Sequence, residues 1–327
     1  MNHAPADPAM IGRLRRDVEA LCVSPRHRDV PGSLEAARAY CQRRLEEVGW
    51  SVEERPFRPR PALRYSDVGH PTSPLAMRWL SGLEGVNLLA YGRGRGGPQA
   101  GDTLLIAHLD TVRSSVGADD NASGVAVALE VARQLADRDH QVVIALVDLE
   151  ELMHLGAREL AKTLPRPGLA VVLDAVGYFD DRPRSQRMPP GFGLMFPRVA
   201  RELRNTERRG DFLLAVHRHS SEAFARAWAQ AADSAGLPAV LLRDRRWDGR
   251  GQGFTRYLSP LLIDLDRSDH APFWRRRIPA VFMTATATMR SPNYHRATDT
   301  PDTVDYVRLG RVAGSLTVAM TAEAARL

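Results

Sequence analysis

The strongest constraint on this chain is an alternation of short apolar runs with segments of helical period. Leu104–His108 (LLIAH), Val142–Val147 (VVIALV) and Leu169–Leu173 (LAVVL) are each five or six residues long. None shows the apolar–polar alternation of a strand with one wet face, so each reads as a strand buried on both sides. Between the first two lies GVAVALEVARQLA, where Val125, Ala128, Leu129, Ala132, Leu135 and Ala136 recur at helical spacing. Met153–Lys162 reads as a second helix, before the third run. Strands of this kind need cover on both faces, and connections of this length carry helices. The expected class is therefore α/β: a three-layer α/β/α sandwich around a mixed, mostly parallel central sheet.

The flanks fit that plan. Ile11–Leu21 is amphipathic at helical period, and Ser33 reads as the N-cap of a second helix with Glu35 in its first turn and Gly49 past its end. Trp50–Phe57 reads as a strand, and Leu309, Val312, Ala313, Leu316 and Met320 form one face of a terminal helix. Residues 58–83 and 178–260, rich in Pro, Arg and Gly, read as excursions around a cleft. The second carries a strand at Phe212–His217 and a helix over Ser221–Ala235. With no internal repeat and no long linker, 1–327 is expected to form a single domain.

Composition excludes several roles. No apolar run approaches ~18 residues, so no membrane span is expected. The N-terminal stretch lacks a basic segment followed by an apolar one, and the expected location is cytoplasmic. The net charge of +6 comes almost wholly from scattered arginines, Lys162 being the only lysine. The densest group, Arg243, Arg245, Arg246 and Arg250, is threaded with Asp244 and Asp248, and no zinc-finger or aromatic-basic motif accompanies it. Nucleic acid is not an expected partner. Cys22 and Cys41 stand too far apart for a CxxC pair and read as reduced thiols near neighbouring helices.

Polar groups gather where the strands end. His108 and Asp110 follow the first strand as H-L-D, and Asp119, Asp120 and Asn121 precede the first regular helix as G-A-D-D-N-A-S-G. Glu150 and Glu151 follow the second strand, Asp174 follows the third, and Ser268, Asp269 and His270 precede Pro272 and Phe273. Tyr294 and His295 lead into T-D-T-P-D. Each signal alone is weak, since a lone Asp after a strand is usually a helix cap. Together, two histidines and several carboxylates at the rim of an α/β sheet supply the nitrogen and oxygen ligands that Zn²⁺ accepts.

The order and spacing of HLDT, GADDNASG, the EE pair, LDAVGY, SDHAPFW and YHRATDTPDT resemble the two-zinc bacterial aminopeptidases, metallopeptidase family twenty-eight. The resemblance runs from about residue 100 onward and is looser over the two N-terminal helices. It implies two Zn²⁺, one held by His108, Asp120 and Asp174 and the other by Asp120, Glu151 and His295, with Asp120 bridging. It further implies that Asp110 accepts a hydrogen bond from the far nitrogen of His108. The Asp120–Asn121 peptide would be cis, Glu150 the general base, and Tyr294 a group that polarises the scissile carbonyl. The implied activity is removal of N-terminal residues from peptides, or hydrolysis of a small amide, by a water shared between the metals. General chemistry agrees: two metals ~3.5–4 Å apart lower the pKa of a shared water towards ~7, and a carboxylate beside it can move its proton.

Two departures bear on the substrate. Relatives often read TDTA in the strand after SDHAPFW, where this chain has Met283–Ala287 as M-T-A-T-A, so Ala285 replaces an expected acid. After the EE pair, G-x-x-G-S is replaced by Met153-His154-Leu155-Gly156-Ala157, and His154 reads as a surface or core histidine in preference to one that faces the cleft. Glutaminyl cyclases, which work with one zinc and lack the His of H-x-D, are an alternative on the same fold. An inactive interaction module is another, marked by lost ligands. Carboxypeptidases and deacylases with a similar ligand set normally insert a dimerisation domain, and the SDHAPFW motif argues against that here.

Overall fold

The computed structural model describes residues 7–65, 77–138, 140–249 and 265–324. Parts of both expected excursions, 66–76 and 250–264 with Arg250, lie outside the described residues. Two N-terminal helices, α1 (Pro8–Leu21) and α2 (Ser33–Glu46), precede the strand β1 (Ser51–Phe57). Strands β2 (Ala62–Tyr65) and β3 (Met77–Leu80) pair antiparallel as a separate two-stranded sheet, and β4 (Gly85–Tyr91) returns to the main one. The centre is β5 (Thr103–His108), α3 (Gly124–Leu135), β6 (Val142–Val147), α4 (Leu155–Thr163) and β7 (Leu169–Leu173). Two short helices follow, α5 (Phe192–Met195) and α6 (Pro197–Asn205), then β8 (Leu213–His217), α7 (Glu222–Ser234) and β9 (Ala239–Arg243). The chain closes with α8 (His270–Arg275), β10 (Ala280–Thr284) and α9 (Tyr306–Ala324).

The main sheet has eight strands in the order β1-β4-β6-β5-β7-β10-β8-β9. The pairs β6–β5, β5–β7, β7–β10 and β8–β9 are parallel, whereas β1–β4, β4–β6 and β10–β8 are antiparallel. This is the expected mixed, mostly parallel sheet. Side chains alternate between its faces. Leu105, Ala107, Ile144, Leu146, Val171 and Leu173 pack beneath α1, α2, α3, α7 and α9. Their neighbours Leu104, Ile106, Val143, Ala145, Ala170 and Val172 pack beneath α4 and α8. Every residue of β5, β6 and β7 is buried, which explains why these strands show no polar alternation in sequence.

Buried charge is paired on the helical side. The Asp17 carboxylate accepts from Arg133 at 2.8 Å and from the Tyr40 hydroxyl at 2.6 Å, while Arg13 grips Glu130 with two hydrogen bonds. The two cysteines are free thiols. No helix among the described residues is long and apolar enough to cross a membrane.

Several elements differ from the sequence reading, among them β4, which it did not identify. Ser33 is the first helical residue rather than the cap, because Gly32 takes the left-handed conformation before it. Helix α4 begins at Leu155, since Met153 and His154 have φ of 74° and 60° and close the preceding turn. Strand β9 has no counterpart in the sequence reading: only two of its five residues are buried, so it lacks the dense apolar signature of the central strands.

Candidate metal centre

Because β6, β5 and β7 run parallel, their C-terminal ends lie along one rim of the sheet, where open α/β sheets gather functional groups. His108 is the last residue of β5, Asp174 follows β7 directly, and Glu150 and Glu151 lie three and four residues past β6. Asp120 comes from the irregular turn 118–123 that leads into α3, and the Asp120–Asn121 peptide is cis. His295 arrives from the long connection between β10 and α9.

The rim brings all five expected ligands together. His108, Asp120 and Asp174 form one group able to hold a metal ion, and Asp120, Glu151 and His295 form another. Asp120 is shared. Its Oδ1 lies 3.1 Å from His108 Nε2 and its Oδ2 lies 3.1 Å from His295 Nε2. His108 Nε2 is 3.8 Å from Asp174 Oδ1, and His295 Nε2 is 3.2 Å from Glu151 Oε2. Yet His108 Nε2, Asp120 Oδ2 and Glu151 Oε1 are buried and make no hydrogen bond with one another or with other described residues. Buried polar atoms are normally satisfied. Nitrogen and oxygen atoms that converge without bonding fit a cation between them, and an N/O donor set of this kind suits zinc.

Electrostatics points the same way. Burial pulls His295 down, but Glu151 and Asp120 outweigh it and raise the imidazole to about 10. His108 is likewise raised despite full burial, by Glu150, Asp120 and Asp174. Asp120, although buried, is held low by the two histidines. Without a metal, the carboxylates draw protons onto the imidazoles. Three carboxylates converging in one pocket favour positive charge, which a divalent cation could supply.

The surrounding residues set these positions. His108 Nδ1 donates to the main-chain carbonyl of Asp110 at 3.1 Å, which leaves Nε2 facing the Asp120 and Asp174 carboxylates as the atom able to bind a metal. The expected bond to the Asp110 carboxylate is corrected here, since that carboxylate lies 3.8 Å away. It accepts instead from the N–H groups of Glu150 (3.0 Å) and Glu151 (3.2 Å), so it holds the two glutamates rather than the histidine. Asp299 does the same for the bridging residue, accepting from the N–H groups of Asp119 (2.8 Å) and Asp120 (3.1 Å). Gly117, at φ 61°, closes the turn: a methyl group there would overlap the Asp120 carbonyl. Arg26, fully buried, donates to the carbonyls of Leu109, Val116 and Gly117 and pins the loop between His108 and Asp120.

Glu150 is buried among these groups. Burial, opposed by His108 and reinforced by Asp269, Asp174 and Glu151, raises its carboxyl well above the usual range. His154 Nε2 lies 3.3 Å from Glu150 Oε1, so this histidine faces the site and is not the surface or core residue expected. Tyr294 stacks on His295, ring centroids 3.9 Å apart. Asp269 is fully buried with neither oxygen hydrogen-bonded among the described residues, and burial, opposed by His108 and reinforced by Asp174 and Glu151, raises it to about 7. Ala285, just past the end of β10, is buried as part of the main apolar core.

Sequence reading assigned no role to Asp299 or Arg26, and named Asp269 only as one of the polar groups near the strand ends. Asp299 and Asp269 sit inside quoted motifs, TDTPD and SDHAPFW, which was the available signal. Arg26 had none, because its partners are main-chain carbonyls some 83 to 91 residues away.

Comparison with known proteins agrees with this geometry. The family model for peptidase family M28 matches residues 90–207 and 253–320, more than half of the chain. The Escherichia coli (strain K12) protein YfbL is 32% identical over 235 residues, which cover 66% of this chain; the chain spans 65% of that relative's length. Among solved structures, a zinc aminopeptidase from Bacillus subtilis superposes with a TM-score of 0.66 at 14% identity, covering 94% of this chain and 93% of that one. An aminopeptidase from Aneurinibacillus sp. strain AM-1 gives 0.62 at 16% identity over 98% and 94%. The glutaminyl cyclase of Porphyromonas gingivalis gives 0.61 at 17% identity over 98% and 99%. At such identities the structures testify to the fold alone, while the family match covers the rim residues themselves from His108 to His295: the chain belongs to peptidase family M28.

Proposed function

We propose that this protein is a two-zinc aminopeptidase that removes N-terminal residues from peptides. The observation that carries the reading is the double facing of Asp120, whose two oxygens each lie 3.1 Å from the Nε2 of a different histidine. His108, Asp120 and Asp174 would hold one ion, and Asp120, Glu151 and His295 the other. When bound, zinc ions lower the pKa of water and polarise a carbonyl oxygen.

The chain's own groups do the rest. Glu150 takes a proton from the attacking water and passes it to the departing amine. Its high proton affinity suits both duties, since a base that is too weak cannot accept and one that is too strong cannot release. The Asp110 carboxylate, by holding both N–H groups, keeps Glu150 and Glu151 pointing to their separate tasks. Tyr294, stacked on His295, presents its hydroxyl to the scissile carbonyl. An apolar pocket lined by Phe192, Phe196, Leu214, Val216 and Phe282 reaches Asp174 and Tyr294, and accepts the side chain of the first residue.

A cyclase reading shares the fold but does not call for His108, which here faces Asp120 in a complete second ligand group. Incubating the zinc-loaded protein with a mixed peptide library and weighing the products separates the two. Loss of single N-terminal residues is expected, with metal content near two equivalents. Loss of ammonia or water without chain shortening, with one equivalent, would replace the aminopeptidase reading by cyclisation.

A further inference from the structure

Beside the apolar pocket lies a second cavity of ≈ 440 Å³, lined by Arg187, Thr288, Ser291, Pro292, Tyr294 and Arg296. The two cavities share Thr288 and Tyr294, so the second begins where the scissile carbonyl is proposed to sit. Its character is opposite to the first. Two guanidinium groups and the three hydroxyls of Thr288, Ser291 and Tyr294 line it, and among the described residues no carboxylate does.

The loop that carries these groups is braced from below. Buried Gln186 accepts from the Thr286 hydroxyl and from Arg290 Nε, each at 3.0 Å. Arg290 is itself buried, donates to the Phe212 carbonyl at 2.9 Å and lies over the Phe212 ring. Arg187 is attached on top: its main-chain N–H donates to the Met289 carbonyl at 2.8 Å and its Nη2 to the Thr288 carbonyl at 2.7 Å. That is the one hydrogen bond its guanidinium makes among the described residues. Arg296 makes none with its side chain, and neither arginine forms an ion pair there. Elsewhere in this Arg-rich chain many arginines are matched to acids, as Arg13 is to Glu130 and Arg246 to Asp266. Here two charges face one cavity unmatched.

The geometry points to a carboxylate-binding subsite in which Arg187 and Arg296 recognise an anionic group one or two residues beyond the scissile bond. This inference rests on the aminopeptidase reading for its direction along the peptide. Guanidinium groups bind carboxylates through paired, charge-assisted hydrogen bonds. An extended chain advances ~3.5 Å per residue, so a carboxylate that near is the free C-terminus of a di- or tripeptide, or an acidic side chain at those positions. The substrate class that follows is short or acidic peptides with an apolar first residue.

The test uses the zinc-loaded protein and an Arg187→Gln/Arg296→Gln variant. Both side chains are exposed, so the fold should persist, and the thermal midpoint checks it. Substrates are Leu-Gly, Leu-Gly amide, Leu-Asp amide and Leu-Asn amide. Wild type should cleave Leu-Gly over its amide, or Leu-Asp amide over Leu-Asn amide, by about tenfold or more in kcat/KM, since a charge-assisted hydrogen bond contributes about that much. The first pair reports a C-terminal carboxylate and the second an acidic side chain. The variant should bring the ratio towards one, and added salt should shrink it in wild type. Calorimetric binding of the same ligands to the Glu150→Gln protein gives a readout that needs no turnover. A binding preference without any hydrolysis would overturn the aminopeptidase reading and keep the subsite. Equal ratios in wild type and variant would overturn the subsite.

Discussion

Glu150 and Glu151 are neighbours in the chain with opposite assignments, and a single residue 40 positions before the first holds them apart. Asp110 accepts both their N–H groups, and Glu151 then faces His295 at 3.2 Å while Glu150 faces His154 at 3.3 Å. Glu150→Gln should therefore keep both metals and lose ~10²–10⁴-fold in turnover, whereas Glu151→Gln should lose one metal first and activity in consequence. Metal content and turnover measured on the same preparations check this; a Glu150→Gln enzyme that works at the wild-type rate would remove the base assignment. Asp299 belongs to the same scale. Asp299→Ala removes the acceptor of two N–H groups around the bridging carboxylate, so metal affinity should fall ~10–100-fold with the fold retained. Competition with a chelator measures it. His108, Asp120, Glu151 and Asp174 were legible in the sequence because they end or follow a strand or precede a helix, and His295 because it sits in the quoted YHRATDTPDT motif. Asp299 was legible only as part of a motif, because its role depends on N–H groups 179 and 180 residues away.

At the level of elements, the connection from β6 to α4 concentrates the unusual backbone. Leu149, Met153 and His154 all have positive φ, which is uncommon for residues with a side chain. The turn is tied down by Asp148, whose N–H donates to Asn87 Oδ1 and whose carboxylate accepts from Val86 and Leu149. Gly156 opens α4 against this knot: its N–H donates to the Asp148 carbonyl at 3.0 Å, and a Cβ would collide with that carbonyl and with the Asn87 amide. Both obstacles are anchored, so Gly156→Ala should cost about 1–3 kcal/mol by overpacking. The cost should appear as a lower denaturation midpoint at unchanged m-value, and activity should fall as well because Glu150 sits in the same turn. The helical period from Met153 onward predicts an earlier start for α4 than occurs, because periodicity does not report φ. The same limit hides β9, whose exposed residues dilute the apolar pattern that exposes β5, β6 and β7.

On the scale of the whole molecule, burial of neutral histidine sets a pH response. His270 stacks on Phe282, meets Trp274 edge-on and donates from Nε2 to the Leu265 carbonyl at 2.8 Å. Burial, with the nearby Arg218, lowers it to about 3 against a weaker raising effect from that carbonyl. An unfolded histidine titrates near ~6.5. Below that pH the unfolded chain takes up a proton that the folded chain refuses, so this residue's contribution is intact above ~6.5 and is lost as pH falls towards 3. The slope is ~1.4 kcal/mol per pH unit from this one group. His270→Phe keeps the ring contacts and removes the titration, so the fall in thermal midpoint between pH 6.5 and 4 should be shallower in the variant. Parallel curves for the two proteins would rule the account out.

The sequence by itself determined the three central strands, their helical cover and the polar residues that meet at their rim. Burial on both faces leaves an apolar run that any reading finds, and strand ends are where metal-binding side chains can gather. Only the tertiary structure decided which atoms of those residues act together. That the Asp110 carboxylate holds the glutamates rather than His108, that His154 turns towards Glu150, and that Arg187 and Arg296 meet across one cavity are all contacts between segments distant in the chain or turned by backbone angles. The physical reason is range: residue pattern records the water-facing and core-facing sides of each element, while hydrogen bonds and ion pairs between elements depend on separations of ~3 Å, set to within a few tenths of an ångström, that exist only once the elements have packed.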